Sequence, residues 1–530
     1  MALKILAVSS EAFPLAKTGG LGDAVSGMAQ ALQAAGAQPG LLLPGYDGVL
    51  QKLSSPREVA RLEGLPGGAA TLMAGRCTEL GLGVLLLCND ALYGREGLYM
   101  DAEGREYEDN AVRFAALSHA AARIAAGVPG LARPDIVHVH DWHAALTPLC
   151  MRQLQVHDTR TVLTLHNVAF QGVFAREAAR DIGVQSRFVD EDLEYWGRIN
   201  LLKAGIRHAD LITVVSRNYA NEILTPRFGC GLEDVLGERR GDLVSIPNGI
   251  DTALWNPAAD AYLPGYPFSP GDMRNKAACK RQLQRRFGLP EGNGTTLMAM
   301  GSRLTTQKMA DVAAQALPEA LDAHPELQLC IVGCGEKPLE AALREVARRY
   351  PGRCAVHIGF DEALAHLLHA GADVLLHGSR FEPFGLTPLY SMRYGTIPIG
   401  SRVGGMADTI LDPGPGAGAM RAATGVLFEG ETTQDMLAAI GRAMRLRATP
   451  DVWRAMQQNA MKTDFSWARA APAYMQIYQA LRPDVAVGRV PEAQRAPRRV
   501  ASGRPAPRHA PVLPGVRADT LVGARGATAA

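Results

Sequence analysis

Short apolar runs alternate with segments of helical period along most of this chain, and the runs fall into two series. The first opens with a buried-strand pattern over residues 3–10. Leu21, Val25, Met28, Leu32 and Ala35 then recur at spacings of four and three, on one face of a helix. Gly36 supplies a stop, and GLLLP (40–44) reads as the next strand. DIVHVHDW (135–142), RTVLTLHN (160–167) and DLITVVS (210–216) continue the series. After residue 275 the pattern restarts with TTLMAM, LQLCIVG, CAVHIGF, ADVLLHG, TIPIG and TGVLF. Strands alternating with helices predict mainly parallel sheets covered on both faces, so the expected class is α/β with two doubly wound domains. Between the series, residues 246–272 are rich in Pro, Gly and Asp, the composition of a linker or hinge. FSWARAAPAYMQIYQALR (465–482) predicts an amphipathic final helix despite Pro472. The expected division is a domain over 1–250, a linker over 251–275, a domain over 276–464, the helix 465–482 and a tail over 483–530.

Composition narrows the class of protein. A chain of 530 residues exceeds one core, and 47% apolar residues is ordinary for a soluble globular protein. No apolar run approaches the roughly 20 residues of a membrane helix. A leader reading after Lys4 ends too early, at Ser9, Ser10 and Glu11. Eight cysteines with no C-x-x-C pair suit free thiols in a reducing compartment, so a cytoplasmic location and no membrane partner are expected. The net charge of +2 is unevenly spread: residues 483–530 hold eight arginines against Asp484, Glu492 and Asp519, leaving −3 for the rest. That tail also holds seven prolines and no sustained apolar period, so it reads as a disordered, solvated extension with no dedicated nucleic-acid partner.

The candidate chemistry sits in loops between strands and helices. KTGGLGD (17–23) follows the first strand, and GSRLTTQK (301–308) follows TTLMAM. A strand, a tight loop bearing a cation and a helix N-terminus together hold phosphate: amide N–H groups face the anion and the lysine adds full charge. Gly19 and Gly20 let a ligand approach the main chain beside Lys17. Val25 stands where a G-x-G-x-x-G fingerprint needs its last glycine, so a dehydrogenase is not supported. Arg303 and Lys308 can both reach a diphosphate, which needs no metal for its neutralisation. In SRFEPFGLTPLYSMRYG (379–395), Glu382 precedes a helix start whose amides lie around Gly385, Leu386 and Thr387. HVHDWH (138–143) and LHN (165–167) lack the remaining ligands of a metal site. Asp141, His143, His166 and Asn167 suit sugar hydroxyls, whereas His138 reads as a core residue.

With these motifs in order, followed by LKAGIRHADLITVVS, PNGID, VGGMADT and DFSW, residues 3–482 resemble the bacterial glycogen synthase and plant starch synthase family. The resemblance implies a retaining glucosyltransferase of the GT-B fold, with two Rossmann-like domains facing across a cleft and the final helix crossing back. It implies transfer of glucose from ADP-glucose to the non-reducing 4-OH of an α-1,4-glucan, with no cofactor beyond the donor substrate. Lys17, Gly19 and Gly20 would contact the donor, Arg303 and Lys308 the diphosphate, and Glu382 the glucose ring. His166 and Asp141 would approach the transferred sugar, with His143, Asn167, Asn248, Gly385, Leu386 and Thr387 completing the substrate site. The alternative is a related transferase that uses UDP-glucose or forms maltose 1-phosphate. Three departures bear on donor affinity: Met309 where Q-K-G is usual, Phe384 where a thiol is common, and Phe360 in place of a tyrosine.

Overall fold

The computed structural model describes residues 2–292, 294–414 and 417–485, so nearly all of the expected basic tail lies outside the described residues. Two sheets carry the fold. In the first the strands are β1 (Lys4–Val8), β2 (Gln38–Pro44), β3 (Ser54–Leu62), β4 (Ala70–Cys77), β5 (Leu82–Cys88), β6 (Ile136–His140) and β7 (Arg160–Leu165). After a small three-stranded sheet of β8 (Val173–Ala175), β9 (Glu194–Tyr195) and β10 (Arg198–Asn200), β11 (Leu211–Val214) and β12 (Leu243–Ser245) complete it. The spatial order is β12-β11-β7-β6-β1-β2-β5-β4-β3. Seven of these nine strands pair in parallel; β3 and β4 add an antiparallel edge. That edge escapes a reading based on continuous apolar runs, because β3 is largely solvent-facing.

The second sheet is wholly parallel, with order β15-β14-β13-β16-β17-β18. Its strands are β13 (Thr296–Gly301), β14 (Leu327–Gly333), β15 (Cys354–Ile358), β16 (Val374–His377), β17 (Ile397–Ser401) and β18 (Val426–Phe428). In each sheet the winding reverses beside one strand: β1 lies between β2 and β6, and β13 lies between β14 and β16. A crevice opens at the carboxyl ends of strands on either side of such a reversal. The loops that leave β1, β6, β13 and β16 are the four that carry most of the candidate residues.

The final helix, Trp467–Leu481, belongs in sequence to the second half but packs on the helix Gly20–Ala34 of the first. Tyr474 and Tyr478 are fully buried there, and the Tyr478 hydroxyl meets His138 Nδ1 at 2.6 Å. His138 is thus a satisfied core residue. Close approach demands glycine at Gly27, where a Cβ would lie 2.1 Å from Trp467 Nε1. The linker is moored to the second domain: buried Asp260 accepts from the Tyr394 hydroxyl at 2.5 Å and pairs with His366 Nδ1 at 2.8 Å. Trp255 stacks on His366 and Tyr390, with ring centroids 3.9 and 4.0 Å apart.

Forcing a side chain into the Gly27 contact should prise the final helix off the first domain. Gly27→Val is expected to cost about 1–3 kcal/mol, as overpacking does, and to lower the midpoint of thermal unfolding. An unchanged midpoint by calorimetry would show that this contact does not hold the helix.

Candidate active site

On the N-terminal side, the loop after β1 is built around Glu11. Its buried carboxylate accepts from the amides of Thr18 at 2.8 Å and Gly19 at 3.2 Å, and from the Thr18 hydroxyl at 2.7 Å. The Tyr99 hydroxyl donates to it at 2.7 Å. Glu11 therefore shapes the glycine loop and occupies the Gly19 amide. Gly19 and Gly20 are exposed, and no side chain caps the helix that follows. Lys17 is exposed, pairs with Asp23 at 2.9 Å and lies 5.0 Å from the Phe13 ring centroid. Burial raises the Asp23 carboxyl above its ordinary value, more than the Lys17 charge lowers it.

The loops after β6 and β7 are locked together by Asp141. Its Oδ1 accepts from the backbone amides of His166 at 2.7 Å and Asn167 at 3.3 Å. Asp141 adopts a left-handed conformation, φ +52°, which a short polar side chain tolerates. Burial pushes its pKa up to about 7 against the pull of those amides. His166 is half-buried at the corner, and burial pulls its pKa down to about 3, so its ring is neutral. Asn167 Oδ1 accepts from the Ala169 amide at 3.0 Å, which leaves its Nδ2 donors for a ligand. His143 is buried against Trp142, Tyr99 and Phe114, with ring centroids 4.1–4.8 Å away, and its Nδ1 has no partner among the described residues. Asn248 is buried with an unpartnered Oδ1. Its neighbours Gly249–Asp251 line, with Phe13, Asp23 and Tyr390, a cavity of about 160 Å³ between the two domains.

The C-terminal side is built by three loops. Lys308, half-buried, ion-pairs with buried Glu382, whose Oε2 also lies 3.3 Å from His377 Nε2. Burial alone would raise the Glu382 carboxyl, but the Lys308 ammonium and His377 hold it far below the usual range, and it is ionised. Arg303 Nη2 donates to Gln307 Oε1 at 3.0 Å, and Gln307 Nε2 donates to the Phe381 carbonyl at 3.2 Å, stapling two loops together. The helix Leu386–Arg393 begins after Gly385, whose φ of +88° suits glycine. Leu386 and Thr387 open that helix and are half-buried. The VGG turn closes underneath: a Cβ on Gly404 would come within 1.6 Å of the Glu382 carbonyl oxygen, and one on Gly405 within 2.3 Å of the Phe384 carbonyl oxygen.

The two sides meet. A Cβ on Gly20 would stand 3.1 Å from Leu386 Cδ1, so the first glycine loop faces the start of the helix after Glu382. Glu222 of the N-terminal domain accepts the Gly404 amide with both oxygens, at 2.9 and 3.1 Å. Asp408 accepts the Asn218 amide at 2.9 Å, and Arg227 pairs with Glu431 at 2.7 Å. Glu11, Gln307, His377 and Glu222 escaped the sequence reading. Gln307 lies inside the second glycine-loop motif, Glu11 and His377 lie at strand ends beside motifs, and Glu222 ends the helix Arg217–Glu222. Each acts on a neighbouring loop's backbone or charge, a contact that sequence position does not reveal. Among the described residues no group of three or more metal-ligating side chains converges.

This geometry has relatives. A family model for the starch synthase catalytic domain matches residues 4–238, and one for glycosyl transferases group 1 matches residues 282–462. A glycogen synthase of Bordetella petrii is 57% identical over 92% of this chain and 94% of its own length. The chain belongs to the glycogen synthase family. Another member, from Ralstonia nicotianae, is 52% identical over 91% of this chain and 89% of its own. Among solved structures, the catalytic domain of starch synthase IV from Arabidopsis thaliana, bound to ADP and acarbose, superposes with a TM-score of 0.82. It is 27% identical and covers 91% of this chain and 99% of that one. Sucrose-phosphate synthase from Thermosynechococcus elongatus, 17% identical with a TM-score of 0.57 over 91% of this chain and 100% of its own, shares the GT-B fold.

Within this glycogen synthase framework the three departures find physical places. Phe384 is buried in the core beneath its loop and does not fill the cleft. Met309 is fully buried at φ +53°, a left-handed position that costs a non-glycine residue about 1–2 kcal/mol. Burial of its side chain offsets that by roughly 1.5–3 kcal/mol. Phe360 is 76% exposed, one residue before the cap of the helix Glu362–Gly371.

Asp141 gives a pH prediction. Its folded pKa of about 7 stands above its ordinary 3.8, so the folded state holds the proton longer and stability falls as pH rises between those values. Above the folded value the effect is flat. Asp141→Asn keeps the acceptor and removes that slope, so its thermal midpoint relative to the parent should rise from pH 4 to pH 7. A constant difference across that range would refute the assignment.

Proposed function

We propose that the chain transfers glucose from ADP-glucose to the non-reducing 4-OH of an α-1,4-glucan, with retention of configuration and release of ADP. One observation carries the reading: Arg303, Lys308 and the amide-bearing helix start at Gly385–Thr387 converge at one strand reversal, and the Lys17 loop faces them from the other domain. Cations and a helix N-terminus in one crevice suit a diphosphate. The glycogen synthase relatives support a glucan acceptor, and the ADP and acarbose bound to starch synthase IV support an ADP-bearing donor and a glucan.

The chemistry follows from the charges. As the bond from the anomeric carbon to the diphosphate oxygen breaks, negative charge grows on ADP, where Arg303 and Lys308 offset it. Positive charge grows on the glucose ring, where ionised Glu382 stabilises it; held well below the usual carboxylate range, this group does not supply a proton. Retaining glycosidases pair a nucleophile with an acid about 5 Å apart. Here Asp141 commits one oxygen to backbone amides, and Glu382 is committed to a cation. The better account is attack on the face the diphosphate leaves: the bond to the acceptor oxygen forms there, and the acceptor proton passes to a diphosphate oxygen. His166, Asn167, His143 and Asn248 orient sugar hydroxyls and the donor.

Lys308→Ala and Glu382→Ala should each lower kcat at least about a hundredfold, as the loss of a transition-state electrostatic partner does, with the fold retained. Lys308→Ala should nonetheless unfold more readily, because it leaves Glu382 buried without its cation. The assay is ADP release from ADP-glucose with glycogen, against UDP-glucose and acceptor-free controls. Near-normal turnover in either variant would overturn its role, and preference for UDP-glucose would reassign the donor.

A further inference from the structure

Behind His166 lies a row of imidazoles that the proposed reaction does not use. His138 and His140 are two apart on β6 and so project to one face of the sheet. Their ring centroids are 4.4 Å apart, and both are buried. His138 is satisfied on both nitrogens: Nδ1 meets the Tyr478 hydroxyl and Nε2 the Thr164 hydroxyl, each at 2.6 Å. Thr164 in turn meets Thr213 at 2.6 Å. This core fixes the wall against which His140 rests. His140 makes one hydrogen bond among the described residues, from Nδ1 to His166 Nε2 at 3.0 Å, and its buried Nε2 has no partner.

We infer that His140 is a positioning residue that sets the tautomer of His166, placing the His166 proton on Nδ1 as a donor to the bound sugar. The argument is one of proton accounting. Burial lowers all three imidazoles, with the neighbouring rings adding to it at His138 and His140, so each ring is neutral with a single proton to place. A hydrogen bond between two ring nitrogens takes one N–H and one bare nitrogen. If His166 Nε2 were the donor, the His140 proton would sit on Nε2, a buried N–H with nothing to receive it. Orphaned buried N–H groups are rare and costly, whereas a bare acceptor is better tolerated. His140 Nδ1–H therefore donates, His166 Nε2 accepts, and the His166 proton is on Nδ1. His166 is half-buried at the cleft corner, with its backbone held by Asp141, so this N–H is the ring's remaining polar group. It commits His166 to donate to a ligand hydroxyl oxygen rather than accept from it, and the ligand to offer a lone pair.

The role at the sugar rests on the proposed glucosyl transfer; the tautomer does not. Nitrogen-15 spectra of the full chain labelled at histidine, with His166→Ala used to assign the signal, read the tautomer without any substrate. We expect the proton on His166 Nδ1; a proton on Nε2 overturns the inference, whichever donor or acceptor the enzyme uses. Kinetics then tests the consequence. His140→Leu should lower kcat/KM about tenfold, the worth of one hydrogen bond. His140→Asn, whose amide N–H falls near the imidazole Nδ1 position, should recover most of that loss. In a His166→Ala background the Leu substitution should cost nothing further. An equal cost in both backgrounds, or no recovery by Asn in a normally folding variant, would show that His140 only packs the core.

Discussion

A parallel sheet that reverses its winding leaves a crevice, and this molecule places two such crevices facing each other. The constraint is topological before it is chemical. The connections leaving β1 and β6 run to opposite faces on one side, and those leaving β13 and β16 do so on the other. The loops at their carboxyl ends therefore border a shared space, joined by the loop after β7 and the VGG turn. The buried strands are mostly Val, Leu and Ile, with His138 and His140 on β6 and His377 at the end of β16 as polar exceptions. The loops hold the charges. That the final helix returns to the first domain ties the two crevices at their rear, through Trp467 against Gly27 and Tyr478 against His138.

Within the crevice the electrostatics are arranged so that a buried acid remains charged. Taking a carboxylate out of water is expensive unless a partner compensates, and Lys308 is that partner for Glu382. Asp141 is the contrasting case, with two backbone amides and no cation, and its pKa is pushed up to about 7. Two acids at the ends of two strands thus differ in charge state near neutrality because one faces an ammonium and the other faces dipoles. The His166 ring, neutral beside them, can exchange hydrogen bonds with hydroxyls without competing for the anion.

The alternation of strands and helices, the two glycine loops and the ordered motifs were legible because each is local: a run of apolar residues, a Gly-Gly pair, a lysine before a helix. The antiparallel edge β3–β4 was not, since its alternating, exposed pattern carries little apolar signal. In sequence Glu11 marks only the end of an apolar run, yet it ties down Thr18 and Gly19 by contacts that depend on the loop folding back. Gln307 and His377 carry no sequence signal for the same reason, as their partners lie 74 and five residues away in another loop or around a tight turn. His140 could be placed on the face of His138 by spacing, but its pairing with His166 required the register of β6 against β7.

The contact between Glu222 and the Gly404 amide is asymmetric in a way that bears on how this enzyme can change over generations. One domain offers a side chain and the other offers main chain. Gly404 is itself packed against the carbonyl of Glu382, so substitution there disturbs the floor of the crevice before it disturbs the contact. This contact can therefore be retuned at position 222 while Gly404 stays, and the Asn218 amide reaching Asp408 reverses the arrangement, with the side chain on the C-terminal domain. Inherited drift in this pair of contacts would therefore fall on opposite domains, at position 222 in the first and at position 408 in the second.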